Sequence, residues 1–170
     1  RNLFHTDNDV HKAPIVTAES APHLTDVRKR RLPRRARWYR GAAVRLLLVV
    51  NSFASSVTAR NTVVVHQHLA RHHDVQVVET NRRGHATRFA QDAARRGLDA
   101  VVAFGGDGTL NEVATGVAGS ETALAVLPGG STNVFARTLG MPNDPAAAVK
   151  QLVTALDNEN VKPKIGRAHV

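Results

Sequence analysis

The sequence predicts an α/β protein: a three-layer arrangement in which a parallel sheet carries helices on both faces. Three observations point there. From residue 43 onward, short apolar runs alternate with segments of helical period, the pattern of strands joined by crossover helices. Two glycine-rich loops each follow an apolar run and open directly into a helix. The 170 residues, 42% apolar and 22% charged, are enough for one domain with its own core.

In chain order, Val44 to Val50 reads as a buried strand, Asn61 to His73 as a helix and Asp74 to Glu79 as a second strand. His85 to Arg96 is the clearest helix, with Ala86, Phe89, Ala90 and Ala93 on one face and Gly97 as its stop. Asp99 to Phe104 is a third strand, and Leu110 to Ala118 a helix facing inward through Leu110, Val113, Ala114 and Val117. Thr122 to Leu127 is a fourth strand, and Thr132 to Leu139 a short helix closed by Gly140 and Pro142. The last helix opens with Asp144 as N-cap and Pro145 at its first position, and buries Val149, Leu152, Val153 and Leu156.

Composition removes several classes of function. With no cysteine there is no disulfide framework, thiolate zinc site, iron–sulfur cluster or cysteine nucleophile. The longest apolar run, Leu46 to Val50, is far short of the ~20 residues of a spanning helix. Charge is uneven: residues 1–42 hold ten Lys or Arg and four Asp or Glu, and eight of the thirteen residues from Arg28 to Arg40 are basic. Lacking any apolar period, residues 1–42 read as a basic, disordered arm. A solvated extension is preferred to a patch for anionic lipid head groups, and no nucleic-acid partner is expected although Trp38 and Tyr39 lie within it.

The chemistry concentrates in the two loops. Gly105-Gly106-Asp107-Gly108-Thr109-Leu110-Asn111-Glu112-Val113 runs from a strand into a helix. Glycines allow positive φ and close backbone approach to a ligand, and the helix that follows aims its free amides at the same point, as a phosphate cradle does. A carboxylate there would repel phosphate unless a cation stood between them, so Asp107 points to Mg²⁺ or to proton transfer. The bland alternative is a capping box formed by Thr109 and Glu112. Leu127-Pro128-Gly129-Gly130-Ser131-Thr132-Asn133 repeats the pattern one strand on, so both loops are expected to face one cleft. Asn51 to Ser55, after the first strand, is a third candidate.

These residues, with Thr80 and the helix start Gly84-His85-Ala86 before them, resemble the diacylglycerol kinase and sphingosine kinase catalytic domain, most nearly the bacterial soluble lipid kinases. The glycine loop alone is shared with NAD kinases and phosphofructokinases; the ordered set of three elements is more specific. The likeness runs from about residue 44 to 157. It implies the nucleotide-binding domain, residues 43–158, of a two-domain cytoplasmic lipid kinase, with residues 159–170 starting the crossing to a second, β-rich domain. It implies ATP and Mg²⁺ as ligands, a lipid hydroxyl, first of all diacylglycerol, as acceptor, and peripheral work at a membrane surface. A homodimer is left open. NAD kinase-like or sphingoid-base kinase activity, or an inactive nucleotide-binding fragment, are the alternatives, and the fragment by itself is expected to be inactive.

By the same resemblance, the loop Asn51 to Ser55, with Asn51, Ser52 and Ser55 as its site residues, lines the nucleotide near its phosphates, and Thr80 contacts the nucleotide. Gly105, Gly106, Gly108, Thr109 and Asn111 wrap the phosphates, Glu112 reaches toward the ribose, and Ser131 contributes from the second loop. Asp107 is the catalytic aspartate that organises Mg²⁺ or activates the acceptor. The chain departs from the family pattern in having Ser52 and Ser55 for the usual Pro and Gly, Ser131 for Thr, and Val134 for Asp. Outside this set, His66, His68, His72 and His73 read as a solvated helix face rather than a metal site. His85, near the cleft, reads as phosphate-assisting or as a capping or packing residue.

Overall fold

The computed structural model describes residues 43–157 and two short strands outside that span. The elements are β1 (Ile15–Thr17), β2 (Arg45–Val50), α1 (Ala59–Ala70), β3 (Asp74–Glu79), α2 (His85–Arg96), β4 (Ala100–Gly105), α3 (Asp107–Val117), β5 (Ala123–Pro128), α4 (Val134–Thr138), α5 (Pro145–Asp157) and β6 (Val161–Pro163). They build one sheet in the order β3-β2-β4-β5-β1-β6. The four strands β3, β2, β4 and β5 are mutually parallel, and β1 adds antiparallel to β5. The expected α/β layering is what is found: α1 packs with α5, α2 packs with α3, and the two pairs cover opposite faces.

Burial follows position in the sheet. β2, β4 and β5 are covered on both faces, so they read as continuous apolar runs. β3 lies at the sheet edge and is more exposed, with Val77 44% accessible. At the amino end of the sheet the Asp99 carboxylate accepts the Arg45 N–H at 2.8 Å and pairs with the Arg45 guanidinium at 3.5 Å, tying the start of β2 to that of β4. The chain leaves β2 toward β3, then crosses back over it to β4, so the direction of winding reverses between β2 and β4. In such sheets the crevice beyond the carboxyl ends at that reversal is where ligands bind.

Several bounds differ from expectation by a residue or two, α4 running Val134–Thr138 rather than Thr132–Leu139, and three differences are larger. α3 begins at Asp107, not Leu110, because Gly106 acts as N-cap and an acidic residue suits the first turn. α1 occupies Ala59–Ala70, shifted toward the Thr58 cap, whose hydroxyl accepts the Asn61 N–H at 3.1 Å. The segment read as a structureless arm contains β1, where the β-branched run Ile15-Val16-Thr17 pairs with β5 opposite Leu124. The rest of 1–42 lies outside the described residues. Of the residues expected to begin a crossing, Val161–Pro163 pairs with β1 and the others are likewise outside.

α2 and α3 touch through small residues. A Cβ on Gly116 would sit 2.5 Å from the Ala90 Cβ and 2.6 Å from the Thr87 carbonyl oxygen, neither of which is a flexible group. Gly116→Ala gains about 1 kcal/mol of helix propensity but overpacks the interface, at a cost of about 1–3 kcal/mol. The expected outcome is a net loss, read as a thermal midpoint lowered by about 4 °C or more.

His73, between α1 and β3, is buried, and among the described residues neither ring nitrogen has a hydrogen-bond partner; Asp157 stands 3.9 Å away. Burial, the largest influence, pushes its imidazole below the ordinary value of 6.5; Asp157 pulls it up and His72 pushes it down, leaving a net lowering. The folded state therefore favours the neutral ring. Stability should be full above pH 6.5 and fall as pH drops below it, because the unfolded chain then binds the proton more readily. His73→Leu should flatten that decline in chemical denaturation curves recorded between pH 7.5 and about 5.

Candidate functional site

The site begins where β2 ends. Asn51 continues the ladder through its N–H to the Phe104 carbonyl at 3.0 Å. Its side-chain oxygen accepts the Phe53 N–H at 3.1 Å, turning the loop, and its side-chain nitrogen donates to the Thr109 hydroxyl at 2.9 Å. That last bond crosses the crevice and joins the end of β2 to the first turn of α3. Thr109 is buried, and its side chain fills the space beside Gly105: a Cβ on Gly105 would lie 2.7 Å from Thr109 Oγ1 and 3.2 Å from Asn51 Cβ.

The two glycine loops touch backbone to backbone. The Gly129 N–H donates to the Gly105 carbonyl at 2.9 Å, a Cβ on Gly129 would stand 2.8 Å from Gly105 Cα, and one on Gly130 would stand 2.8 Å from Gly106 Cα. None of these four glycines has positive φ, so the expectation of left-handed turns is corrected: what they supply is room, not unusual dihedrals. The one left-handed residue in these loops is Asn133, at φ 47°, whose side chain bonds both the N–H and the carbonyl of Gly130, at 2.8 and 2.7 Å. Asn133 also donates to Asn143 at 2.9 Å, which holds the second loop closed.

Two carboxylates on α3 reach in different directions. Asp107 Oδ2 accepts the Thr132 hydroxyl and the Val134 N–H, each at 3.1 Å, and Oδ1 accepts the Phe135 N–H at 3.3 Å. It therefore caps α4. Desolvation is the largest single influence and pushes its pKa up, but the Val134 and Phe135 amides and the Thr132 hydroxyl together outweigh it and leave the carboxyl below its ordinary 3.8. Glu112 accepts the Gly84 N–H at 3.0 Å and the Ala86 N–H at 3.2 Å, capping α2. The Thr109–Glu112 capping box does not form: α3 has Gly106 at its N-cap and no side-chain cap.

Between α3 and the β3–α2 loop lies a cavity of about 290 Å³, lined by Asn51, Phe53, Thr80, Asn81, Arg82, Arg83, Ala86, Gly108, Thr109 and Glu112. Five residues singled out from the sequence, Asn51, Thr80, Gly108, Thr109 and Glu112, meet there. Gly108 presents an open face, with nothing within 4 Å of where a Cβ would stand. Gly105, Gly106 and Asp107 are not among the lining residues. Ser52, Ser55, Asn111 and Ser131 are exposed and do not line the cavity, so the second loop braces the first rather than sharing its cavity. Phe53 belongs to the Asn51 to Ser55 candidate loop, whereas Asn81, Arg82, Arg83 and Ala86 were not expected as lining. The available signal was two arginines directly after a parallel strand's carboxyl end.

Residues 45–162 match the family described as the diacylglycerol kinase catalytic domain. The chain belongs to that family. It is 43% identical over 86 residues to a Klebsiella pneumoniae protein named "Probable lipid kinase YegS-like", covering 49% of this chain and 29% of that one. Over 63 residues it is 49% identical to the diacylglycerol kinase of Bacillus subtilis, covering 36% and 21%. A crystal structure of a diacylglycerol kinase from Bacillus anthracis superposes with a TM-score of 0.59 at 35% identity, over 65% of this chain and 39% of that one. The chain thus spans about a third or less of the length of the curated relatives it matches.

In this kinase-family domain the Asp107 bonds make a measurable prediction. A carboxyl whose folded pKa is depressed stabilises the fold above its unfolded pKa and loses that contribution as pH falls through the folded value. Asp107→Asn keeps the shape but removes the charge. The midpoint difference between wild type and variant should be constant above about pH 5 and shrink as pH falls below 3.8, with wild type the more stable at neutral pH.

Proposed function

We propose that this domain is the nucleotide-binding half of an ATP-dependent lipid kinase that moves the γ-phosphoryl group to a lipid hydroxyl, with diacylglycerol as the acceptor. The observation that carries the reading is the Asn51–Thr109 bond. It places the glycine loop at the reversal point of the sheet, where it forms a wall of the cavity within a domain of this family. In the transfer, the acceptor oxygen bonds to the γ-phosphorus as the bond to the β-bridging oxygen breaks, ADP leaves, and the hydroxyl proton goes to a base. The protein's part is positioning and charge stabilisation.

Gly108 gives the ligand a surface without a side chain, and Thr80 and Asn51 bound the inner end of the cavity. Each Glu112 oxygen keeps a lone pair beyond its amide bond, so it remains an acceptor for a sugar hydroxyl. Among the described residues no three acids or histidines form a cage for a cation. Mg²⁺ in phosphoryl transfer needs only one or two carboxylates besides phosphate oxygens, and Asp107 fits as that one. When bound, the ion neutralises charge on the phosphates.

Asp107 fits this role better than that of base. A general base works best with a pKa near the working pH, whereas this carboxyl lies below 3.8 and is a weak proton acceptor. Asn51, Thr80 and Glu112 all line the cavity, but Ser52, Ser55, Asn111 and Ser131 would reach a nucleotide only by extending from the rim.

The test is calorimetric titration of the chain with ATP, with and without Mg²⁺, with NAD as comparator. Saturable ATP binding that Mg²⁺ strengthens and NAD does not match is the expected result. A chain that is folded by circular dichroism yet gives no saturable heat with ATP would refute the reading. Transfer of label from ATP to diacylglycerol vesicles by the longer polypeptide identifies the acceptor.

A further inference from the structure

The loop between β3 and α2 carries two exposed arginines that line the cavity, and among the described residues neither Arg82 nor Arg83 forms an ion pair. Arg82 has one polar partner: its Nε donates to His85 Nε2 at 2.7 Å. A guanidinium does not give up its proton in a protein, so in this bond the Nε2 lone pair accepts from Arg82. The His85 ring stands edge-on to Phe89, centroids 5.8 Å apart, which fixes its orientation on the helix. Bonding through Nε leaves both terminal nitrogens of Arg82 free for an anion.

We propose that Arg82, aimed by His85, and Arg83 form an anion-binding wall of the cavity that takes the ligand's phosphate chain. The inference deepens the nucleotide reading and rests on it only for the identity of the ligand. Two of the amides at the start of α2 are already engaged, since Glu112 holds those of Gly84 and Ala86. With those amides engaged, the side chains of Arg82 and Arg83 are the cationic groups in the cavity lining. His85 acts through Arg82 and is a positioning residue.

The experiment is titration of wild type, Arg82→Gln, His85→Leu and His85→Gln with inorganic tripolyphosphate, ATP and adenosine. An ionic strength of about 0.15 M keeps distant charges screened. Arg71→Gln, at the end of α1, controls for general attraction. Arg82→Gln should weaken tripolyphosphate and ATP by about tenfold or more and leave adenosine unchanged. His85→Leu should weaken both anions about three- to tenfold, while His85→Gln, whose Oε1 reaches where Nε2 stands, restores them to within about twofold. Tripolyphosphate affinity in Arg82→Gln within about twofold of wild type, or lost equally in Arg71→Gln, overturns the wall. If His85→Gln behaves as His85→Leu, the aiming role is overturned. ATP binding that survives Arg82→Gln leaves the nucleotide reading standing without the wall. Tripolyphosphate binding with no preference for ATP does the reverse.

Discussion

The carboxyl end of the sheet depends on two strand ends lying closer together than side chains permit. Gly105 and Gly106 meet Gly129 and Gly130 so closely that a Cβ added at Gly129 or at Gly130 would stand 2.8 Å from the opposing Cα. Because of that contact the β4–β5 ladder runs on to the Gly129–Gly105 bond, and α3 starts immediately above it. The room left at Gly105 is taken by Thr109, which brings its hydroxyl to Asn51 and spans the crevice. Any side chain at Gly105 would displace Thr109 and separate the two halves of the sheet's upper edge. Gly105, Gly129 and Gly130 are steric requirements of a packed backbone before they are a surface for any ligand.

α3 then acts as the hub. Its two carboxylates lie five positions apart, and each is committed to the amides of another helix, Asp107 to α4 and Glu112 to α2. A carboxylate standing alone in a phosphate cradle would oppose binding. Here each negative charge faces a positive helix end, which offsets part of that repulsion. The same bonds fasten the second glycine loop and the β3–α2 loop to α3, and the Thr109–Asn51 bond adds the loop after β2, so three loops from three strands are held in register by side chains of a single helix.

The layered fold and the order of its central elements were legible because buried parallel strands are continuous apolar runs and their crossover helices carry apolar stripes: β3 and α2 have the bounds their periods indicate. The start of α3 was not legible, since three glycines signal a loop while Gly106 in fact caps a helix beginning at Asp107. β1 was missed because three residues are too few to show a period, and pairing with β5 provides their support. Within the site, the family resemblance singled out Asn51, Thr80 and Thr109, and all three line the cavity. The partners of Asp107 and Glu112 were hidden. A sequence shows a carboxylate near a glycine turn, but not whether it faces its own helix or amides 27 or 28 positions away.

The way the cavity is assembled bears on how it responds to a ligand. Its walls come from the β2 end, the β3–α2 loop and α3, which meet there mainly through polar side-chain bonds: Asn51 to Thr109, Glu112 to the α2 amides, and the Thr87 hydroxyl to the Glu112 carbonyl. Such bonds contribute about 1 kcal/mol each, so these joints are weaker than the buried apolar strands beneath them. A ligand touching all three walls adds contacts in parallel with the weakest joints rather than with the core. Ordering of the loops about an already formed sheet, not a change of fold, is the response this construction permits. The stability gained on binding then follows ligand concentration over its dissociation constant, with the sheet as a fixed floor.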